Sequence, residues 1–504
     1  MLNYARNSYS FLRIALLSLC LFGYSNNTLP QDLDSLVSSL NDLSLPIVHL
    51  EFDKDSINRL SYTSGIITIH DLINKGGGGN SYYCKIRIRG QSSAYYDKKC
   101  YAVKLVDADG NDLDENVFGI REENSWILDA MANDRLRMRN RLCFDVWNEM
   151  SQLPYDTKYD RRNGTKGRFV EVFVNKEYRG IYCMSDKIDR KLLGLKKLQK
   201  NGSENTVRGV LYKGVKWGAA YTLAEYDEER VDTTLWNSWE LKLPEDYPSL
   251  EAWKPLIDLI DFNAGDTRDF VGNYHSHYYI DNLIDYMIFC YAFNMLDMPY
   301  KNTYLSVVDI NKDKKFVLTP WDLDGSLGQD WNGYYIDEDR FYFNVFPDDS
   351  QKFGYINKFI KLQPYTILFY NNIEGFQELM IKKFRNLYNT LLSPDSIEKR
   401  IRQIAESYKL SGAWEREFRK WGKGPFQSLN QNMESDILYA IDWYKLNMSR
   451  NVEWMNQTTK VVSHPPLELS EDIEYTLMGV KNSNTKRHGF FIKVNDGKIT
   501  KAFR

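Results

Sequence analysis

Over the first two hundred residues, hydrophobic and polar positions alternate with a period of two in several short stretches, the pattern of half-buried strands. Leu45–Phe52 (LPIVHLEF) and Gly65–His70 (GIITIH) are the first two predicted strands. Tyr82–Gly90 (YYCKIRIRG) puts Cys84, Ile86 and Ile88 on one face and Lys85, Arg87 and Arg89 on the other. Cys100–Val106 (CYAVKLV) follows, with Lys104 on the face opposite Val103 and Leu105. Between the second and third strands, four consecutive glycines end at Gly79 with no GK[ST] and no helix behind them, so they read as a hairpin connection rather than a phosphate loop.

Helical spacing takes over in Trp126–Met150, where Leu136, Met138, Leu142, Val146 and Met150 form an apolar stripe behind a charged start of Asp134, Arg137, Arg139 and Arg141. Phe169–Val174 and Tyr178–Met184 predict a hairpin turning at Asn175–Glu177, and Val210–Lys213 predicts a short strand. Tyr279–Leu296 reads as a buried helix stopped by Pro299. Asn302–Val308 and Lys315–Leu318 predict a second hairpin around the polar Asp309–Lys314 loop. Glu374–Ile401 and Asp436–Glu453 are amphipathic and helical, and the tail from Glu474 returns to strand chemistry. The pattern as a whole predicts an α+β fold with an antiparallel sheet, a helical lobe and a small C-terminal β module.

At 504 residues with 43% apolar side chains, the chain is long enough for two or three domains that fold without staples. Its 65 basic and 68 acidic residues leave a net charge of −3, which excludes nucleic acid or an anionic membrane as a partner drawn by overall charge. Six cysteines, one of them Cys20 in an N-terminal apolar run, form neither a disulfide framework nor a zinc pattern. Cys84 with Cys100 is the pair to test for a bridge, against the alternative of free buried thiols. Arg6 and Arg13 precede Ile14–Phe22 (IALLSLCLF), too short to span a bilayer and the right length for a signal-peptide core, with Gly23 and Ser25 beyond it. A lipid-anchored alternative at Cys20 is disfavoured by the bulk of Leu19. The expected protein is secreted or at the cell surface, with no transmembrane segment once the signal is cleaved.

The densest chemistry lies in Phe316–Gln329 (FVLTPWDLDGSLGQ), where an apolar strand ends at Pro320 and two carboxylates follow, Asp322 and Asp324. On an extended backbone both point the same way, and Gly325 and Gly328 let the chain turn away beneath them. Upstream, Asp297-Met-Pro-Tyr-Lys-Asn302 sets a carboxylate and an amide five residues apart just before the hairpin. The order D-x-x-x-x-N, hairpin, D-x-G is that of a kinase catalytic loop and its metal-binding aspartate. Tyr101-Ala102-Val103-Lys104 echoes the kinase V-A-I-K strand, and the donor-rich turn Gly90-Gln91-Ser92-Ser93 stands where a glycine-rich loop would. This reading assigns Asp297 as base, Asn302, Asp322 and Asp324 to Mg²⁺ or Mn²⁺, and Lys104, Arg89 and Ser92 to ATP phosphates. A haloacid-dehalogenase-type phosphatase with Asp322 as nucleophile and an Asp-x-Asp sugar transferase stay open as lesser alternatives.

Six segments together resemble the CotH kinase family, named for spore coat protein H and widespread among secreted bacterial proteins. They are IRIRGQSSAYYDKKCYAVKL, DRLRMRNRLCFDVWNEM, FVEVFVNKEYRGIYCMSDKIDR, LYKG, DMPYKNTYL and PWDLDGSLG, spread over about Leu45 to Gly328. The resemblance implies an atypical protein-kinase-like core, use of ATP and a divalent metal, and phosphorylation of Ser or Thr on extracytoplasmic proteins. It adds Asp186 to the nucleotide contacts, at a position where family members more often carry Glu. The implied organisation is a signal peptide over 1–25, a linker over 26–44, a kinase-like domain over 45–370, its helical lobe over 371–465 and a β module over 470–504. That last module resembles the C-terminal sorting modules of secreted Bacteroidetes proteins through Gly489-Phe-Phe-Ile492 and Asp496-Gly-Lys498, against the alternative of a closing hairpin. A non-catalytic adhesin that binds carbohydrate or protein through Trp331, Tyr334, Tyr335, Phe341, Tyr342 and Phe343 is the competing class.

Overall fold

The computed structural model describes residues 32–72, 79–155, 161–202, 204–216, 233–236, 238–295, 297–298, 301–336, 364–423, 428–461, 473–476, 490–495 and 498–503. The expected signal peptide, most of the glycine run and the ring cluster at 341–343 lie outside the described residues.

Helix α1 (Leu33–Ser38) starts where the Asp32 carboxylate accepts the Ser35 N–H at 2.9 Å. Its Leu33 and Leu36 pack on Ile47, Phe173 and Tyr178, so the stretch expected to be a linker contributes to the fold. Seven strands then make the first body: β1 (Ile47–Phe52), β2 (Thr63–His70), β3 (Asn80–Arg89), β4 (Cys100–Val106), β5 (Ser125–Asp129), β6 (Gly167–Val174) and β7 (Glu177–Ser185). They neighbour one another in the order β1-β2-β3-β4-β5-β7-β6, and β6 returns to β1 in parallel, closing the expected antiparallel sheet into a barrel. Val48, Leu50, Ile67, Ile86, Val103, Leu105, Leu128, Val172 and Met184 fill its core. The β6–β7 turn has positive φ at both Asn175 (49°) and Lys176 (66°), as a two-residue hairpin of matching twist requires.

The alternation in β3 and β4 holds, and it sets Lys85 directly opposite Lys104 on the outer face. Like charges in register repel. The structure relieves them by pairing Lys104 Nζ with Asp112 at 2.7 Å and letting Lys85 Nζ donate to the Gly110 carbonyl at 3.1 Å. All five described cysteines are buried thiols outside any disulfide. Cys84 lies across from Leu105 and Cys100 across from Arg89, so the pair expected as a candidate bridge does not face across the hairpin.

Trp126–Met150 is not one helix. Ser125–Asp129 is a barrel strand, and helix α2 begins only at Arg139 and ends at Met150. The charged residues expected at its start, Asp134, Arg137, Arg139 and Arg141, are buried. Asp134 accepts the N–H groups of Met138 and Arg139, both at 2.7 Å, and so satisfies donors at the start of α2.

The second body is a five-stranded antiparallel sheet built from β8 (Val210–Gly214), β9 (Leu235–Trp236), β10 (Trp239–Leu243), β11 (Thr303–Val307) and β12 (Val317–Pro320), in the order β9-β10-β8-β11-β12. Helices α3 (Leu250–Ala264), α4 (Ile280–Phe293), α5 (Phe376–Tyr388), α6 (Pro394–Leu410), α7 (Ala413–Trp421) and α8 (Glu434–Val461) share the largest apolar core with it. α4 is stopped by Asn294, left-handed at φ 48°, whose N–H turns back to the Cys290 and Tyr291 carbonyls, and not by Pro299. Among the described residues no helix is long and apolar enough to cross a membrane. The tail forms a separate three-stranded antiparallel sheet, Ile473–Thr476, Phe490–Asn495 and Lys498–Phe503.

α7 fastens the helices to the barrel. Glu417, fully buried, accepts from Lys98 Nζ, Arg137 Nε and the Ile181 N–H, each at 2.7 Å. Burial works against its charge, and Lys98 and Arg137 outweigh that, holding the carboxyl below its usual range. Gly180 is required here: at φ +105° its added Cβ would stand 2.1 Å from Glu417 Oε2. One residue earlier, Arg416 grips Glu171 of β6 with two parallel bonds of 2.8 and 2.7 Å. Glu417→Ala strips two buried cations of their counter-charge, so urea denaturation of this variant is expected to show a loss of about 3–5 kcal/mol, and Glu417→Gln a smaller one. An unchanged midpoint in both would show the contact to be inert.

Candidate active site

The site forms where the hairpin β11–β12 meets the segment that links barrel strand β5 to α2. Thr303 pairs with Pro320, and the Trp321 N–H extends the ladder to the Asn302 carbonyl at 2.9 Å. Asn302 and Asp322 therefore flank the end of one strand pair. Both are left-handed, at φ 58° and 60°, a conformation Asn and Asp tolerate better than other side chains. The expectation of two Asp projecting from an extended backbone is thus corrected: Asp322 turns out of the strand, Leu323 dives into the core, and Asp324 comes round beside it. Gly328, at φ +78°, is needed because a Cβ there would lie within 2.8 Å of the Trp443 and Tyr439 rings, whereas Gly325 has room for one.

Asn302 Nδ2 lies 3.2 Å from Asp297 Oδ2 and 3.5 Å from Asp322 Oδ2, and Lys301 Nζ pairs with Asp297 Oδ2 at 2.7 Å. Asn133 Nδ2 donates to Asp324 Oδ2 at 2.6 Å and to the Trp331 carbonyl at 2.9 Å. Asn140, at the start of α2, donates to Asp129 Oδ2 at 2.8 Å and accepts the Leu323 N–H at 3.1 Å. Arg139 Nε holds the Ser326 carbonyl at 3.1 Å. Three carboxamides and a guanidinium thus pin the aspartate loop.

Four carboxylates feel one another here. Burial, then repulsion from Asp322, drives the Asp324 carboxyl far above its usual range, with Asp129 and Asp297 adding to the effect. Asp322 is accessible to solvent, yet enough protein surrounds it for burial to raise its carboxyl too, against the pull of Lys213. Burial pushes the Lys213 ammonium down to about 8, with Arg89 adding to the fall and Asp322 resisting it. Lys213 and Arg89 both lie against the Trp321 ring, at 5.5 and 5.6 Å from its centroid. Among the described residues neither forms an ion pair within 4.0 Å.

Arg89, Asp297, Asn302, Asp322 and Asp324, picked out in the sequence, are therefore brought together. Lys104 is not: it stands on the outer face of the barrel, held by Asp112. Nor is Asp186, which is fully buried and ties Arg121 Nε at 2.9 Å, Arg162 and the Lys166 N–H at 2.9 Å, so its oxygens serve the fold. Ser92 is exposed on the turn after β3. Sequence reasoning missed Lys213, which lies in the quoted LYKG segment, and the positioning amides Asn133 and Asn140. A haloacid-dehalogenase arrangement is ruled out at this motif because the strand that delivers it pairs antiparallel.

Among the described residues no three His, Cys, Asp or Glu side chains are arranged to cage a metal unaided. The donor set does fit Mg²⁺ shared with a phosphorylated substrate, which takes one or two carboxylates and leaves the other positions to phosphate and water. Two carboxyls that burial and then neighbouring carboxylates drive upward favour a cation beside them, and the Asn302 amide, now donating N–H to both neighbours, needs only to turn over to present its oxygen.

No curated protein matches the chain. The family model described as CotH kinase protein matches residues 86–450, running from inside β3 through the barrel, the second sheet and the helices into α8. The match spans most of the sequence, and the chain belongs to the CotH kinase family.

Proposed function

We propose that the protein transfers the γ-phosphate of ATP to Ser or Thr hydroxyls of proteins outside the cytoplasm, on an atypical protein-kinase-like core. The observation that supports this most is a separation of charge at the site. Asp297, Asp322 and Asp324 stand on one side with Asn302, and Arg89 and Lys213, without ion-pair partners among the described residues, face them. A polyphosphate chelated to a divalent cation complements both halves at once.

In this reading Asn302, Asp322 and Asp324 hold Mg²⁺ or Mn²⁺, which neutralises phosphate charge when bound. Lys213 takes the role first expected of Lys104, and it fixes the phosphates with Arg89. Asp297 orients the acceptor hydroxyl and receives its proton as the phosphoryl group moves in line, and Lys301, already on Asp297, offsets the negative charge there. A second reading, a surface-binding module, draws on the 43% and 53% exposed rings of Trp331 and Tyr334, the former tied by its carbonyl to Asn133 beside Asp324.

Mass spectrometry after incubation with ATP and Mg²⁺ or Mn²⁺ is expected to find phosphate on the chain itself or on added casein, and Asp297→Asn and Asp322→Asn to lower the yield at least ~100-fold. Equal incorporation by Asp322→Asn would contradict the metal role; none by the wild type on either acceptor would favour the binding module. The depressed Lys213 pKa sets a pH dependence. Phosphate prefers the charged amine, which persists below pH about 8 and is lost above it, so nucleotide affinity measured by calorimetry should hold up to pH 8 and fall beyond. Lys213→Arg should keep its affinity above that pH, and a fall of equal size in this variant would place the titration elsewhere.

A further inference from the structure

Two cations that repel each other do not come to rest against one ring without a reason. Arg89 arrives from the end of barrel strand β3 and Lys213 from β8 of the second sheet, and both approach the indole of Trp321. Lys213 Nζ also lies 5.8 Å from the centroid of the Tyr304 ring. Lys301, beside the same carboxylates, is already committed to Asp297 at 2.7 Å.

The ring is itself fixed. Phe144 and Tyr304 meet it edge-on at 6.0 and 5.9 Å between centroids, and its backbone N–H is bonded to Asn302. In β8, β11 and β12, Lys213 pairs with Tyr304 and Tyr304 with Thr319, two residues before Trp321, so the register places all these side chains on one face of the sheet. An indole face attracts a guanidinium or an ammonium through its quadrupole, more strongly where water is thinned out. That attraction offsets the repulsion between the two cations while no anion is present.

We propose that Trp321 is a positioning residue that holds Arg89 and Lys213 side by side as a two-pronged subsite for the phosphate chain of the donor nucleotide. The proposal rests on the phosphotransfer reading above and deepens it. A guanidinium offers a planar fork and an ammonium a compact point charge, and together they grip neighbouring phosphates. The next residue, Asp322, takes the cation side of the same phosphates. One short run, Trp321-Asp322, thereby sets both the positive and the negative half of the donor site.

Calorimetry with Mg²⁺ and a non-hydrolysable ATP analogue, and separately with inorganic triphosphate, tests this on the purified chain. Trp321→Leu, which stays apolar and loses the quadrupole, is expected to weaken both ligands by about tenfold or more, and Trp321→Phe by less than about threefold. The KM for ATP should rise by the same factor with little change in kcat. In an Arg89→Met, Lys213→Met background, Trp321→Leu should add less than about twofold, because the ring acts through the two cations. Circular dichroism reports whether each variant folds, and Trp321→Met substitutes if the leucine variant does not. Unchanged affinity in the folded leucine or methionine variant overturns the proposal, as does a full additional loss in the doubly substituted background. A wild-type chain that binds neither ligand overturns the phosphotransfer reading itself, an outcome distinct from either.

Discussion

Mutual repulsion among Asp129, Asp297, Asp322 and Asp324 is the constraint on which the centre of this molecule is built. Burial, and then their neighbours, push the Asp322 and Asp324 carboxyls upward. The fold pairs Asp297 with Lys301 but, among the described residues, gives the cluster no matching set of salt bridges. It surrounds them with amides that donate without carrying charge: Asn133 on Asp324, Asn140 on Asp129, and Asn302 between Asp297 and Asp322. A cluster held this way is geometrically defined and electrostatically incomplete, the state in which a cation and its phosphate ligands bind with the least rearrangement.

The same segment that supplies two of those amides also joins the two bodies of the chain. Between Asp129 and Asn140 the backbone leaves the barrel, passes the aspartate loop and enters α2. Along it Arg139 takes the Ser326 carbonyl and Arg137 takes Glu417 of α7, while Tyr408 of α6 donates to the Arg137 carbonyl at 2.8 Å. Arg137 and Arg139 of DRLRMRNRL thus serve as buried struts. Placement of the site and docking of the helices on the barrel are consequently one mechanical problem, solved by one stretch of chain.

Much of this was legible in the sequence, for identifiable reasons. Barrel strands announce themselves because one face is buried and the other is not, as in β3, where cysteine and isoleucine alternate with lysine and arginine. The Asp297–Asn302 and Asp322–Asp324 spacings held because a hairpin of fixed length carries one to the other. Closure of the barrel was not legible, since the parallel pairing of β1 with β6 joins residues more than a hundred positions apart. The start of α2 was misplaced because the apolar run in Ser125–Asp129 is too short to separate strand from helix by period, and because buried arginines read as surface charge until their partners are known. Lys104 was drawn to the site by a motif echo, although the alternation around it already set it opposite Val103 and Leu105. Lys213 acquires its character only from tertiary packing, against Trp321 and beside Asp322, which no local pattern encodes.

The most direct test of this account is a crystal structure of the chain with Mn²⁺ and a non-hydrolysable ATP analogue, using anomalous scattering to locate the metal. A manganese peak is expected within bonding distance of Asp322, Asp324 or both, with the analogue's phosphates between that peak and the Arg89 and Lys213 side chains. Phosphates lodged on Lys104 at the outer face of the barrel, or manganese bound away from Asp322 and Asp324, would contradict it.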